Sequence, residues 1–174
     1  MKLKRSAEVA RSASQEIQSL DEALSLAKRL GVAGPPFLVD DLARALGIRV
    51  VHEAMDQDMS GFLELRSDGW VAGINSHHHR VRQRFTLAHE IAHFVLHRNQ
   101  QAAFRDQTFA RRKSEPNSME RQADDFAAKL LMADADVKGA IDKGMRNLND
   151  LALQFEVSSL AMRFRLESLG YRLT

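Results

Sequence analysis

The chain has 174 residues and no cysteine, which excludes disulfides, thiolate metal sites and cysteine nucleophiles, so any metal must be held by histidine and carboxylate. Its net charge is only +2, from 25 basic and 23 acidic residues, which argues against a strongly basic nucleic-acid-binding protein. The chain has neither an apolar run of the roughly 18 residues that span a bilayer nor the apolar stretch of a signal peptide. We therefore expect a cytoplasmic protein with no membrane partner.

The first half of the chain predicts two short helices followed by strands. Ser19 and Glu22 have the spacing of a capping box at a helix start, and Gly31 is suited to end that helix. A second helix is predicted over 40–46, before Gly47. Three short runs rich in β-branched and aromatic residues predict strands, and the last two flank a Ser-Asp-Gly turn that is typical of a hairpin. The predicted strands are 48–51, 62–65 and 70–74.

The second half of the chain is predominantly helical in pattern. Apolar residues recur at helical spacing over 80–97, and a polar loop is predicted to follow over 98–117. Further helices are predicted, in chain order, over 118–131, 147–155 and 159–169. Helices around one small antiparallel sheet predict an α+β fold.

The predicted helix over 80–97 carries the sequence His89-Glu90-Ile91-Ala92-His93. Histidines at i and i+4 project from one face of a helix, one turn apart, so a single tetrahedral zinc ion can reach both. Glu90 lies roughly 100° round the helix from His89, beside the metal position. There it can accept a proton from a water whose pKa the metal lowers, as the general base of a peptide hydrolysis.

A catalytic zinc site needs a third protein ligand and leaves the fourth position for water. A third histidine ten residues after the first is ruled out, because Asn99 stands there. Glu120, in the predicted helix 118–131, is the better candidate. Asp124, one turn later on the same face, can accept the free N–H of a ligating histidine and fix its tautomer. His97 continues the i+4 series but falls at the helix end, where we interpret it as a C-terminal cap.

These residues resemble the ImmA/IrrE-like zinc metallopeptidase family. The resemblance is carried by 84–93, by 120–132 and, more loosely, by 151–158, although Ala133 stands where members often have proline. It implies that His89, His93 and Glu120 bind one zinc ion and that Glu90 is the general base. It also implies a substrate class, since such members cleave helix-turn-helix transcriptional repressors and so switch on stress-response or mobile-element genes.

We divide the chain into three predicted parts. Residues 1–18 form a flexible or helical N-terminal arm, 19–135 a zincin-like metallopeptidase core, and 136–174 a C-terminal helical subdomain that resembles a helix-turn-helix and packs on the core. A protease of this kind usually binds its substrate as an added strand at a sheet edge, and we assign that role to the predicted strand 70–74 as a hypothesis.

Two other functions remain open from the sequence. The C-terminal helices could bind DNA through Arg163 and Arg165, although Glu156 stands at the turn position that often holds glycine, and its charge is unhelpful beside phosphates. Alternatively, the chain could be an antitoxin-like regulatory protein whose zinc site cuts nothing.

Overall fold

The computed structural model describes residues 16–107 and 118–172, which form an α+β fold of seven helices and a four-stranded sheet. The helices are α1 (Leu20–Leu30), α2 (Val39–Ala45), α3 (Arg80–His97), α4 (Ser118–Leu131), α5 (Asp134–Asp142), α6 (Leu148–Phe155) and α7 (Ser159–Ser168). The strands are β1 (Arg49–Glu53), β2 (Met59–Arg66), β3 (Gly69–Asn75) and β4 (Ala103–Gln107). Residues 1–15 of the predicted N-terminal arm lie outside the described residues. No helix in the described ranges is long and apolar enough to cross a bilayer.

The N-terminus of α1 is fixed by the capping box that the sequence predicts. The Ser19 side chain accepts a hydrogen bond from the Glu22 backbone N–H at 3.2 Å, and the Glu22 carboxylate reaches back to the Gln18 N–H at 3.3 Å. The helix ends at Gly31, whose φ of 72° is the left-handed conformation that glycine adopts without steric cost. Both ends of α1 are therefore confirmed, because each depends on residues close in sequence.

The sheet has the strand order β1-β3-β2-β4 and is mixed, not antiparallel as predicted. The β2–β3 hairpin forms across the Ser67-Asp68 turn as expected, but β3 then pairs in parallel with β1. Local turn chemistry specifies the hairpin, whereas the β1–β3 pairing joins strands that are distant in sequence. Because β3 is paired on both sides, the hypothesis that 70–74 receives a substrate strand at a sheet edge is wrong.

Strand β4 lies inside the segment that was predicted as a polar loop. It pairs antiparallel with β2, and Gly61 lies opposite Asp106 while Leu63 lies opposite Phe104. Phe104 and Asp106 are buried, whereas Arg105 between them is exposed. This strand therefore forms the edge of the sheet next to β2 and points two of its side chains inward.

Helix α3 packs against β2 and β3 on one side and against α4 on the other. It contains buried apolar residues but also six buried polar ones: Arg84, Thr86, His89, Glu90, His93 and His97. Buried polar groups cost free energy unless they have partners, so this helix requires an organised polar site around it.

Two buried arginines connect the C-terminal helices to the rest of the protein. The Arg84 guanidinium donates to the backbone carbonyl oxygens of Glu156 at 3.1 Å and Phe37 at 3.0 Å. Arg165 donates to the Met132 carbonyl oxygen at 2.9 Å and pairs with the Asp134 carboxylate. These contacts tie the end of α6 to α3 and α7 to the end of α4, so one continuous core includes residues from α5, α6 and α7.

Replacing Arg84 with methionine should lower the free energy of unfolding by about 3 kcal/mol, because charge-assisted hydrogen bonds to two backbone carbonyls are lost. Urea unfolding followed by circular dichroism measures the change. The matched control is Arg80→Met: Arg80 also contacts Glu156, at 3.2 Å, but its side chain is 75% exposed. That control should cost less than about 1 kcal/mol. Equal losses in the two variants would contradict the anchoring role of Arg84.

Candidate metal centre

The two histidines of α3 and a glutamate of α4 converge on one point. His89 Nε2 and His93 Nε2 lie 3.0 Å apart, as expected for imidazoles one helical turn from each other. The Glu120 carboxylate lies 3.1 Å from His93 Nε2 and 3.3 Å from His89 Nε2. The close packing of α4 on α3 brings these residues together, so all three predicted ligands lie side by side.

Asp106 of β4 is the fourth member of this cluster and was not predicted. Its carboxylate lies 2.8 Å from His89 Nε2 and 3.6 Å from His93 Nε2, and the residue is 3% exposed. Ligand atoms of His89, His93, Asp106 and Glu120 all lie within 4.8 Å of one another, and the four could hold a metal ion. The only sequence signal for Asp106 is the alternation of Phe104 with Asp106, which is too short to distinguish a strand from a loop.

The hydrogen bonds behind the histidines point both Nε2 lone pairs at the cluster. His89 Nδ1 lies 2.8 Å from Asp124 Oδ1, so it carries the proton that this carboxylate accepts. His93 Nδ1 lies 3.0 Å from His97 Nδ1, and His97 Nε2 lies 2.8 Å from Gln122 Oε1. If His97 donates to Gln122, then its Nδ1 accepts from His93.

Asp124 thus makes the contact with His89 that its spacing from Glu120 predicts. The interpretation of His97 as a cap of the helix is wrong: the residue is 1% exposed, and its ring lies between His93 and Gln122. Phe104 stacks on the other side of the His93 ring, with centroids 4.4 Å apart and planes at 12°. His93 is therefore held in place by both packing and hydrogen bonding.

The geometry of the cluster fits a tetrahedral metal ion. Ligand atoms about 2.0–2.1 Å from zinc at tetrahedral angles would be about 3.3–3.4 Å apart. The histidine–histidine and histidine–carboxylate separations run from 2.8 to 3.6 Å and so bracket that value. Although Asp106 lies close to His89, neither of its oxygens makes a hydrogen bond of normal geometry to a described residue. When both imidazoles are neutral, lone pairs converge on this point with no donor between them, an arrangement that a cation would satisfy.

The electrostatics of the cluster favour a positive charge at the same point. Burial opposes ionisation of both His89 and Asp106, yet each charge stabilises the other. The pKa of His89 is consequently raised well above its usual range, and the pKa of Asp106 is lowered well below it. The carboxylates therefore create a negative potential that a proton on the imidazole or a metal cation would neutralise.

Glu90 lies next to the cluster and is completely buried. Neither of its carboxylate oxygens has a hydrogen-bond donor among the described residues. Burial, and then the negative charge of Asp106, raise the pKa of Glu90 well above its usual range. A methyl group at Gly61 would lie only 2.5 Å from the Gly73 carbonyl oxygen and 3.3 Å from Glu90 Oε1, so glycine at this position of β2 allows the strand to pass close to the carboxylate.

Removing the carboxylate behind His89 should weaken metal binding. We expect Asp124→Ala to lower the affinity for Zn²⁺ by about 10–100-fold, because the tautomer and orientation of His89 are no longer fixed. Competition with a chromophoric chelator measures this change. The control is Asp125→Ala, since the Asp125 side chain is 63% exposed and pairs with Lys129 away from the cluster. An affinity unchanged in Asp124→Ala would contradict the supporting role of Asp124.

Comparison with protein families gives one match that covers most of the chain. The model of peptidase family M78, described as the IrrE N-terminal-like domain, matches residues 43–167. That range contains all four residues of the candidate metal site together with Glu90, Asp124 and His97. No curated protein matches the chain. The family match confirms the resemblance seen in the sequence, and the chain belongs to the IrrE N-terminal-like domain family of peptidases.

Proposed function

We propose that the protein is a zinc-dependent endopeptidase with a zincin-like core. The proposal is carried by one observation: a cluster with the geometry of a metal site lies beside Glu90, a fully buried carboxylate that lies against Asp106 and makes no hydrogen bond of normal geometry to a described residue. A buried carboxylate without a donor costs free energy, which a catalytic function would explain. Zinc suits a donor set of two imidazole nitrogens and carboxylate oxygens in tetrahedral arrangement.

In this mechanism His89, His93 and Glu120 would hold zinc. When bound, zinc polarises a carbonyl group and lowers the pKa of water towards 7. The Glu90 carboxylate accepts the proton of the attacking water and then donates it to the leaving amine. Burial of Glu90 serves this role, because a raised pKa makes the carboxylate a stronger base.

We further propose that the substrate is a helix-turn-helix transcriptional repressor in the cytoplasm, whose cleavage would derepress stress-response or mobile-element genes. Support for this substrate class comes from the family resemblance. The contacts of the C-terminal helices also favour a protein substrate over direct DNA binding. Arg165, one of the two arginines that could contact phosphates, is buried against Met132 and Asp134, and Glu156 pairs with Arg84 and Arg80.

A second candidate function is favoured by Asp106. Structural zinc sites have four protein ligands, whereas catalytic sites keep one position open, so the close approach of Asp106 is compatible with a regulatory protein whose zinc site cuts nothing. Glu90 argues for the catalytic function, because a structural site gains nothing from a buried carboxylate next to its ligands.

The experiment that tests the proposal is a search for new protein N-termini in host cell extract treated with the zinc-loaded protein. The control is Glu90→Gln, which retains the proposed ligands and removes the base. We expect new termini in the wild-type sample alone, within a helix-turn-helix regulator. New termini within another class of protein would support the peptidase function but reject helix-turn-helix repressors as the substrate class. Identical termini in the two samples, under conditions in which the metal site is open to added ligands, would favour the non-proteolytic function.

A further inference from the structure

We propose that β4 is an internal pseudosubstrate: Asp106 occupies the fourth position of the metal site, and its strand covers the β2 edge at which a substrate peptide would pair. The proteolytic site is then latent in this conformation. This inference rests on the proposed peptidase function and adds the regulation of the same site.

The first observation is the position of the Asp106 carboxylate. His89, His93 and Glu120 supply the three protein ligands that a catalytic zinc site requires, and the remaining tetrahedral position is the one for water. Asp106 lies against both histidines, at 2.8 Å and 3.6 Å from their Nε2 atoms, and is almost fully buried. A carboxylate held there excludes water from the position beside Glu90.

The second observation is the direction and register of the strand. β4 runs antiparallel to β2 and pairs with it from Met59 to Glu64, and no other described strand pairs with β4. A peptide that adds to a sheet edge makes the same backbone hydrogen bonds. β3 covers the other side of β2, so a substrate strand can pair with β2 only where β4 now lies. Gly61 of β2 lies opposite Asp106 and next to Glu90, so a peptide in this register would pass directly over the site.

The third observation concerns what holds β4 in place. Among the side chains of residues 103–106, Phe104 and Asp106 are buried, and both contact the histidines: Phe104 stacks on His93 and Asp106 lies beside His89. Ala103 and Arg105 are exposed. A five-residue edge strand held by its pairing with β2 and by these two buried side chains can open at much lower free energy than the whole domain. Because one of these contacts is with the metal site itself, Asp106 and a substrate compete for the same position, and substrate binding requires release of Asp106.

The test uses the full chain loaded with Co²⁺ and titrated with acetohydroxamate, a small metal-binding probe, while the visible absorption of the cobalt is recorded. In the wild type the probe must displace Asp106, so its apparent affinity is reduced by the small fraction of open molecules. We expect Asp106→Ala to bind acetohydroxamate about tenfold or more tightly. Asp106→Asn, which keeps the shape of the side chain but not its charge, should also bind the probe more tightly. The matched control is Arg105→Ala, on the same strand but with an exposed side chain, which should bind like the wild type.

A second readout is hydrogen exchange of the β4 backbone amides, compared with and without metal. If Asp106 binds β4 to the metal, metal loading should slow amide hydrogen exchange over 103–107 in the wild type and in Arg105→Ala. In Asp106→Ala, metal loading should slow this exchange much less. Equal access of acetohydroxamate to the wild type and Asp106→Ala, or metal-induced protection of β4 that survives in Asp106→Ala, would overturn the proposal.

The same variants distinguish an error in the closing role proposed for Asp106 from an error in the proposed peptidase function. Cleavage that is faster in Asp106→Ala than in the wild type, and is abolished by the added change Glu90→Gln, would support both. If Asp106→Ala binds acetohydroxamate more tightly than the wild type but produces no new protein N-termini in host extract, Asp106 is retained as the closing ligand and the peptidase function is rejected. If the wild type cleaves protein and acetohydroxamate binds equally well to the wild type and to Asp106→Ala, the peptidase function is retained and the closing role of Asp106 is rejected.

Discussion

Replacing Glu90 with glutamine should slow peptide-bond cleavage by about 10²–10⁴-fold while leaving the zinc content unchanged. Glutamine has nearly the same shape as glutamate, so the packing against Gly61 is retained, but the amide cannot accept a proton from water. The rate is measured on a peptide that spans the cleavage site found in the N-terminal search, and zinc is measured by atomic absorption of the same preparation.

The control for this variant is Glu64→Gln on β2. Glu64 pairs with Arg66 at 2.6 Å and takes no part in the metal cluster, so its replacement should change the rate by less than about twofold. Glu90→Gln with wild-type activity would exclude Glu90 as the general base. Loss of zinc together with activity would mean that Glu90 acts on the metal site and not on the proton.

Zinc loading should raise the midpoint of thermal unfolding by roughly 8–16 °C when free zinc is about 1,000 times its dissociation constant. At that ratio a ligand that binds only the folded state stabilises it by about 4 kcal/mol, and 1 kcal/mol corresponds to about 2–4 °C for a domain of this size. The physical reason is the convergence of two imidazole nitrogens and two carboxylates on one point. Circular dichroism of chelator-treated protein with and without added zinc measures the shift.

Glu120→Gln should abolish most of this stabilisation, because it replaces a charged ligand by a neutral amide at the point where the two histidines converge. His77→Ala is the control, since His77 belongs to a run of three histidines outside the cluster and is exposed. It should leave the shift intact. A shift that persists in Glu120→Gln and disappears in His77→Ala would mean that zinc stabilises the protein from the histidine run.

Sequence reasoning succeeded where the determining contacts are local. The bounds of α3 follow from the apolar repeat over 80–97, and the one-turn separation of His89 and His93 follows from helix geometry. Asp124 was placed by the same i, i+4 reasoning, one turn after Glu120 on α4. That Glu120 would meet the two histidines depended on packing between helices, and there the family resemblance supplied what the spacing could not.

The features that were missed depend on contacts between distant segments. Asp106 reaches the cluster only because β4 pairs with β2, and its five residues carry no pattern that distinguishes them from a polar loop. His97 looked like a cap because it stands at the helix end, whereas α4 covers that end and brings Gln122 to it. α5 was not predicted, and the parallel pairing of β1 with β3 likewise joins strands separated by the whole of β2.

The two edges of the sheet differ in how they resist association with another molecule. β1 forms one edge and carries Arg49, His52 and Glu53, and such charges discourage strand pairing between chains. β4 forms the other edge and covers the backbone of β2 beside the buried residues Phe62 and Leu63. If β4 withdrew with no peptide present, unpaired backbone groups of β2 would become a template for self-association. The covering strand therefore favours a monodisperse protein during storage, and concentrated solutions of an opened variant should scatter more light than the wild type.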